Sequence, residues 1–142
     1  MKIAIVILNY NSSADCRKCI GFLKQQQGVE AEIIVVDNCS REDERKAAES
    51  FCSENGCTFI ANNENRGYNA GNNAGLRYAT KKGYEYALIA NPDMEFPQKD
   101  YLLRLAEKMQ SDEEIVVCGS SMIYILDTDK VRTGGFEDAV TW

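Results

Sequence analysis

The sequence predicts an α/β fold in which a mostly parallel sheet is flanked by helices. Two observations carry this prediction: short apolar segments alternate with longer amphipathic ones, and clusters of polar residues follow the apolar segments. The candidate strands are apolar at successive positions, which is typical of strands that helices cover on both faces. We therefore expect a single domain over residues 1–142, built from successive β-α units with right-handed connections.

Six strands and four helices are predicted. The strands are expected at 2–8, 32–36, 58–61, 86–90, 115–118 and 122–126. The helices are expected from 12 or 13 to 26, from 41 to 55, over 70–82 and over 99–110. Ser12 or Ser13 and, for the second helix, Ser40 are expected to cap the N-termini, because their hydroxyls accept hydrogen bonds from free N–H groups. Gly83 is expected to end the third helix in a left-handed conformation.

Composition narrows the functional classes. Apolar residues make up 44% and charged residues 27% of the 142 residues, as in ordinary soluble domains. No apolar run approaches the roughly 18 residues that a membrane-spanning helix needs, so no transmembrane segment is expected. The net charge of −6 argues against a nucleic-acid-binding surface. An acidic chain can still bind a phosphate-bearing ligand where a metal ion or local dipoles offset the repulsion.

The chain has no histidine and six cysteines. Catalytic triads, Cys-His pairs and His-ligated metals are therefore excluded, and acid–base chemistry falls mainly to carboxylates. Cysteines without a secretory signal indicate reduced thiols in a cytosolic setting. Cys16 and Cys19 form a C-x-x-C pattern, which leaves a redox role open. Together with Ile20 and Leu23 they also fall at helical spacing, which favours a buried stripe.

The unusual residues follow the predicted strands, where ligands bind in α/β folds. Asp37 can accept hydrogen bonds from a nucleotide base or ribose, and it can equally cap a turn. The loop after the first strand lacks glycine and no Walker A motif is present, so dinucleotide and P-loop cofactors are disfavoured. The segment 62–75 is rich in Asn and Gly, which allows close approach of a ligand, although a polar surface loop has the same composition.

Carboxylates after the fourth strand suggest a metal site. Asp93 and Glu95 point the same way in extended backbone and offer oxygen ligands to Mg²⁺ or Mn²⁺. The alternative is an ordinary turn, because Asn-Pro-Asp is a frequent turn sequence.

In this order, the segments 7–11, 35–40, 65–75 and 88–93 resemble the signature of family 2 glycosyltransferases, most closely the rhamnosyltransferase-like branch. The resemblance extends over residues 3–125 and implies a GT-A fold. It also implies that a sugar is transferred with inversion from a nucleotide-diphosphate donor, with UDP- or dTDP-sugars favoured. The acceptor is implied to be a hydroxyl of a saccharide or of a lipid-linked compound.

The resemblance also implies roles for individual residues. Asp93 is implied to bind Mn²⁺ or Mg²⁺, with Glu95 as a second candidate. A packed aromatic remains the alternative for Tyr10, and a solvated surface charge for Arg66. The implied nucleotide-sugar-binding residues are Asn9, Tyr10, Asn11, Asp37, Asn65, Arg66, Gly67, Asn72, Asn91 and Asp93.

Members of this family continue well beyond 142 residues, into a half that binds the acceptor and supplies the catalytic base. We therefore expect this chain to be mainly the donor-binding part, incomplete at its C-terminus. The catalytic base is unassigned; Glu137 and Asp138 are candidates, and a solvated acidic pair is the alternative. A cytoplasmic location, including the inner face of the membrane, is expected. A nucleotidyltransferase of similar fold and a non-catalytic interaction module remain alternative functions.

Overall fold

The computed structural model describes residues 2–120, 122–127 and 130–134, and the side chains of residues 2–120. The chain divides into two compact units, Met1–Leu102 and Leu103–Trp142. The expectation of a single domain stays a prediction. The elements are β1 (Lys2–Asn9), α1 (Ser13–Leu23), β2 (Glu30–Asp37), α2 (Glu42–Asn55), β3 (Thr58–Ala61), α3 (Tyr68–Lys82), β4 (Tyr86–Ala90), α4 (Tyr101–Gln110), β5 (Met122–Asp127) and β6 (Lys130–Gly134).

The first unit contains a four-stranded parallel sheet in the order β3-β2-β1-β4. Strand β1 is central and pairs with β2 along its whole length, from Lys2 opposite Glu30 to Asn9 opposite Asp37. The carboxyl ends of all four strands consequently lie at one edge. The predicted α/β sheet and four of its strands are confirmed. In the second unit β5 pairs with β6 in antiparallel fashion, and β6 was not predicted.

Both faces of β1 are buried, as its continuous apolar sequence indicated. One face joins β2 and α3 in a hydrophobic cluster that consists of Ala4, Val6, Leu8, Ile34, Val36 and Ala79. The alternate side chains Ile3, Ile5 and Ile7 point to the opposite face and are buried as well. Helices α1 and α2 contact each other and the sheet.

The cysteines of the C-x-x-C pattern belong to the core. The buried residues of α1 are Cys16, Cys19, Ile20 and Leu23, so the predicted stripe is confirmed. Burial, followed by the charge of Asp93, raises the pKa of the Cys19 thiol to about 12. Burial likewise raises the pKa of Cys16. Such thiols form little thiolate at neutral pH and are poor redox nucleophiles.

Two glycines of α3 allow the helix to pack directly on the sheet. A Cβ atom at Gly75 would lie 2.5 Å from Cγ1 of Val6 and 3.1 Å from Cγ2 of Val36. At Gly71 it would overlap with Cδ1 of Leu8. Glycine in a helix costs about 1 kcal/mol relative to alanine. These two residues therefore trade intrinsic helix stability for a close helix–sheet contact.

Three expectations from the sequence are wrong. Within the described residues, 115–118 forms no strand; Val116 and Val117 are exposed, and a turn at Asp112 precedes them. A short apolar run with high β-propensity does not form a strand when no neighbouring strand pairs with it. Ser12 occupies the N-cap position of α1, but its hydroxyl donates to the Tyr10 carbonyl instead of accepting from the helix.

The third error concerns the start of α2. Its N-cap is Arg41, whose side chain makes no capping hydrogen bond, so Ser40 is not the cap. The predicted end of α3 is confirmed, because Gly83 is left-handed with φ 77°. None of the helices in the described part of the chain is long and apolar enough to cross a bilayer.

At the opposite, amino edge of the sheet, Glu32 organises a cluster of hydroxyls. Its carboxylate accepts hydrogen bonds from Thr58 Oγ1 at 2.7 Å, from the Tyr78 hydroxyl at 3.0 Å and from the Tyr84 hydroxyl. Burial acts to raise the pKa of Glu32, but the bonds from Tyr84, Thr58 and Tyr78 together lower it below its ordinary value. The bond to Glu32 raises the pKa of Tyr84 to about 12.

We expect Gly75→Ala to lower the free energy of unfolding by about 2 kcal/mol, because its Cβ meets two stiff, buried valines. Gly21→Ala on α1 is the matched control, since nothing lies within 4 Å of its added Cβ. The control is expected to gain about 0.5–1 kcal/mol. Urea unfolding of both variants checks this, and a Gly75→Ala variant as stable as Gly21→Ala would contradict the close packing of α3.

We expect Tyr84→Phe to lower the free energy of unfolding by about 1 kcal/mol at pH 7. The effect is small because the cluster is exposed to solvent. A lowered carboxyl pKa stabilises the fold above the unfolded value near 4.5, and this stabilisation is lost as the pH falls through the folded pKa. The raised Tyr84 pKa stabilises the fold below pH 10.0, and that contribution is lost as the pH rises towards about 12.

The difference between wild type and Tyr84→Phe is therefore expected to shrink below about pH 4 and above about pH 10, as measured by urea unfolding across this range. Tyr10→Phe serves as the control, because within the described residues the Tyr10 hydroxyl makes no hydrogen bond. A difference that stays constant with pH would refute the electrostatic role of this cluster.

Candidate functional site

A buried pair of polar side chains closes the centre of the sheet at its carboxyl edge. Asn9 and Asp37 are the last residues of β1 and β2, lie opposite each other in register and are 0% exposed. Asn9 Nδ2 donates to Asp37 Oδ1 at 3.0 Å, and the backbone N–H of Ser40 donates to Asp37 Oδ2 at 3.1 Å. Both carboxylate oxygens are therefore engaged inside the protein.

The loops that follow β1 and β2 are joined through Ser40. Its hydroxyl oxygen accepts from the backbone N–H of Asn11 at 2.9 Å and from Asn9 Nδ2 at 3.4 Å. The Asn11 side-chain oxygen in turn accepts from the backbone N–H of Arg41 at 2.8 Å. Asn11 adopts φ 51°, a left-handed conformation that asparagine tolerates better than most residues. Ser40 thus bridges two loops, which explains why it does not cap α2.

Asn38 connects these loops to the loop after β3. Its Nδ2 donates to Asn65 Oδ1 at 2.9 Å and to the Gly67 carbonyl at 3.4 Å, while its Oδ1 accepts from Asn62 Nδ2 at 3.2 Å. The Asn62 backbone N–H donates to the Asp37 carbonyl at 2.8 Å. Asn38 is only 3% exposed, so its role at this edge of the sheet is to hold the loops together.

The start of α3 reaches the loop after β4. Gly67 precedes the helix with φ 89°, a conformation that favours glycine, and no side chain caps the helix N-terminus. The next residue, Tyr68, donates its hydroxyl to Asn91 Oδ1 at 3.0 Å. Asn72, which is 2% exposed, donates its Nδ2 to the Tyr68 carbonyl at 3.1 Å. All four strand ends are consequently linked by hydrogen bonds.

The predicted metal-binding segment forms an exposed turn. The Met94 N–H donates to the Asn91 carbonyl at 3.1 Å, and the Cys19 thiol of α1 contacts the same carbonyl at 3.7 Å. Asn91, Asp93 and Glu95 are exposed. Among the residues that the structure describes, no group of three or more acidic or thiol side chains is arranged to hold a metal. A cation here therefore needs oxygen ligands from a bound molecule or water as well as from the carboxylates.

Most of the predicted site residues lie together at the carboxyl edge of the sheet, but some are buried and others are exposed. Asn9, Asp37 and Asn72 are buried, and the side-chain oxygens of Asn9 and Asn72 are buried without a partner in the described structure. Tyr10 is 51% exposed and is not a packed core aromatic. Arg66 is exposed and pairs with Glu64 at 2.7 Å.

For each of these residues, a contact with a nucleotide stays a prediction. Glu137 and Asp138 lie outside the described residues. Sequence reasoning assigned no role to Asn38 or Tyr68. The position of Asn38 beside Asp37 at a strand end was the available signal for the first. Tyr68 gave no such signal, because its partner lies 23 residues away.

Similarity to known proteins supplies the family. The sequence pattern described as Glycosyl transferase family 2 matches residues 4–137. The low-salt glycan biosynthesis hexosyltransferase Agl10 of Haloferax volcanii is 35% identical over 99 residues, which are 69% of this chain and 30% of that protein. The uncharacterized glycosyltransferase YibD of Escherichia coli is 22% identical over 149 residues, covering 99% of this chain and 42% of its own length. The chain thus spans less than half of these relatives.

Solved structures agree on the fold. The mannosyltransferase PcManGT from Pyrobaculum calidifontis, in complex with GDP-Man and Mn²⁺, superposes with a TM-score of 0.68 at 20% identity, covering 75% of this chain and 32% of its own. S. aureus TarS 1–349 in complex with UDP gives a TM-score of 0.64 at 23% identity, covering 78% of this chain and 32% of its own. The parallel sheet flanked by helices is the GT-A fold. Since the family pattern covers most of its length, the chain belongs to glycosyl transferase family 2.

Proposed function

We propose that this chain is the donor-binding part of a glycosyltransferase and binds a nucleotide-diphosphate sugar at the carboxyl edge of its sheet. The observation that carries the proposal is the hydrogen-bond network that joins the ends of all four parallel strands. The side chains of Tyr10, Asn91, Asp93 and Glu95 remain exposed at this edge. A rigid edge with exposed polar and aromatic groups suits a nucleotide ligand.

The nucleotide base is assigned to the surface around Tyr10. Its half-exposed ring offers a face on which a planar base can stack. Asp37 lies beneath this loop and is 0% exposed, so its carboxylate can accept a hydrogen bond from the base only if the loop shifts. UDP- and dTDP-sugars are the expected donors. GDP-sugars are a further candidate, because PcManGT was solved with GDP-Man.

The diphosphate is assigned to the turn after β4 and to the N-terminus of α3. That helix terminus lacks a side-chain cap, so its free N–H groups can face an anion. On a chain of net charge −6, a diphosphate also needs a cation. The exposed carboxylates of Asp93 and Glu95 fit Mn²⁺ or Mg²⁺, provided that phosphate oxygens and water complete the ligands. Such an ion neutralises the charge that develops on the departing diphosphate.

The reaction proposed for the whole enzyme is transfer of the sugar, with inversion, to a hydroxyl of a saccharide or lipid-linked acceptor. In such a displacement a general base removes the proton of the attacking hydroxyl, opposite the departing diphosphate. Glu137 and Asp138 remain the candidates for this base. The proposed location is cytoplasmic, including the inner face of the membrane.

We expect one of UDP, dTDP and GDP to bind the folded chain more tightly with Mn²⁺ than without it, as measured by calorimetric titration. Asp93→Ala is expected to lose the metal-dependent part of this affinity. Glu54→Ala is the matched control, because it removes an exposed carboxylate from the far end of α2. If no diphosphate binds, the proposed function is wrong. If a free triphosphate binds better than every diphosphate, a nucleotidyltransferase is favoured instead.

We expect Asp37→Asn to lower the free energy of unfolding by about 1–3 kcal/mol, because Asn9 and Ser40 donate to different oxygens and the substitution replaces one of these oxygens by a donor NH₂ group. Asp93→Asn is expected to change it by less than about 0.5 kcal/mol, because Asp93 is exposed. Urea unfolding separates the two variants. Equal stabilities would show that the buried carboxylate does not hold this edge together.

A further inference from the structure

We propose that Tyr68 is a positioning residue that fixes the side-chain amide of Asn91 so that its two N–H groups face the diphosphate of the donor. The inference rests on the proposed function and specifies the chemistry at one position of the same site. Its starting point is the 3.0 Å hydrogen bond from the Tyr68 hydroxyl to Asn91 Oδ1, which joins the first residue of α3 to the end of β4.

Both oxygens of Asn91 already accept hydrogen bonds within the protein. Its side-chain oxygen accepts from Tyr68, and its carbonyl accepts from the Met94 N–H at 3.1 Å and contacts the Cys19 thiol at 3.7 Å. Within the described residues, Asn91 Nδ2 makes no hydrogen bond, and the residue is exposed. The amide therefore presents two unused donors to its surroundings, while the Tyr68 hydroxyl occupies one lone pair of its oxygen.

Two unused donors at this place select the chemistry of the ligand. They suit a group that carries only acceptor oxygens, and a diphosphate is such a group. They do not suit a metal ion, which takes oxygen ligands. Asn91 and Asp93 thus have different roles in the turn. The amide of Asn91 contacts phosphate oxygens directly, whereas the exposed carboxylate of Asp93 faces a cation.

Tyr68 is itself held in place. Asn72 is buried and donates to the Tyr68 carbonyl at 3.1 Å. Gly67, with φ 89°, sets the direction in which the chain enters the helix. The phenol ring, 52% exposed, contributes little to the core. Its hydroxyl is consequently placed for a role at the site, and its loss is expected to leave the stability of the fold nearly unchanged.

The first test compares two hydroxyl deletions on the same helix by calorimetric titration with the diphosphate that wild type binds, in the presence of Mn²⁺. Tyr68→Phe is expected to weaken binding about three- to tenfold and to leave urea unfolding unchanged. Tyr78→Phe removes a hydroxyl that bonds Glu32 at the opposite edge, and it is expected to lower stability and leave affinity unchanged. Affinity of Tyr68→Phe within twofold of wild type would overturn the inference.

The second test asks whether Tyr68 acts through Asn91. Asn91→Ala is expected to weaken binding about tenfold, and Tyr68→Phe added to it is expected to change the affinity less than twofold further. Independent, multiplying losses would overturn the inference, because they would give Tyr68 its own contact with the ligand.

The third test reads out the donor character of the amide. Asn91→Asp replaces the two donors by an acceptor that repels phosphate, so its affinity is expected to fall more without Mn²⁺ than with it. Metal-free affinity equal to wild type would show that the amide donors are unused. Failure of wild type to bind any diphosphate would overturn the proposed function together with this inference, whereas normal wild-type binding with unaffected variants would overturn this inference alone.

Discussion

The carboxyl edge of the sheet depends on the hydrogen bond between Asn9 and Asp37. A buried carboxylate is destabilising by several kcal/mol unless its oxygens are hydrogen-bonded. Here the amide of Asn9 and the backbone N–H of Ser40 meet that requirement. The same bonds fix where β1 and β2 end and which way the next loops leave the sheet. Asn38 then extends this arrangement to the third loop. The loops are therefore held in place by hydrogen bonds within the protein, so that binding of the proposed donor there would lose less conformational entropy.

Polar residues at this edge fall into two groups that their chemistry alone does not distinguish. Asn9, Asp37 and Asn72 are buried and hold the backbone, whereas Asn91 and Asp93 are exposed on the turn after β4. An asparagine can serve in either group, because it both donates and accepts. For the residues at strand ends, the division follows from position in the sheet: β1 and β2 are its inner strands, and β4 lies at the edge of the four-stranded order.

Much of the fold could be predicted, and so could the edge of the sheet at which the polar residues gather, because both depend on local patterns. Segments that are apolar at successive positions predicted the strands. Because the strands are parallel, the polar residues that follow them lie at one edge of the sheet. The roles of Ser40 and Tyr68 could not be predicted, since their partners lie 29 and 23 residues away in the sequence. The failed strand at 115–118 has a related cause, because an apolar run shows β-propensity and says nothing about a neighbour to pair with.

The close approach of α3 to the sheet has an evolutionary consequence. Residues 71 and 75 have no space for a side chain because Leu8 and Val6 fill it from the strand. A larger side chain on one side of the contact thus requires a smaller one on the other. Position 75 has room for a methyl group only if the side chain at position 6 loses one of its methyl groups. Substitutions in the helix and the strand are then expected to occur together, at positions 6 and 75 and at positions 8 and 71. Covariation at these pairs would mark a constraint of packing and carry no information about ligand specificity.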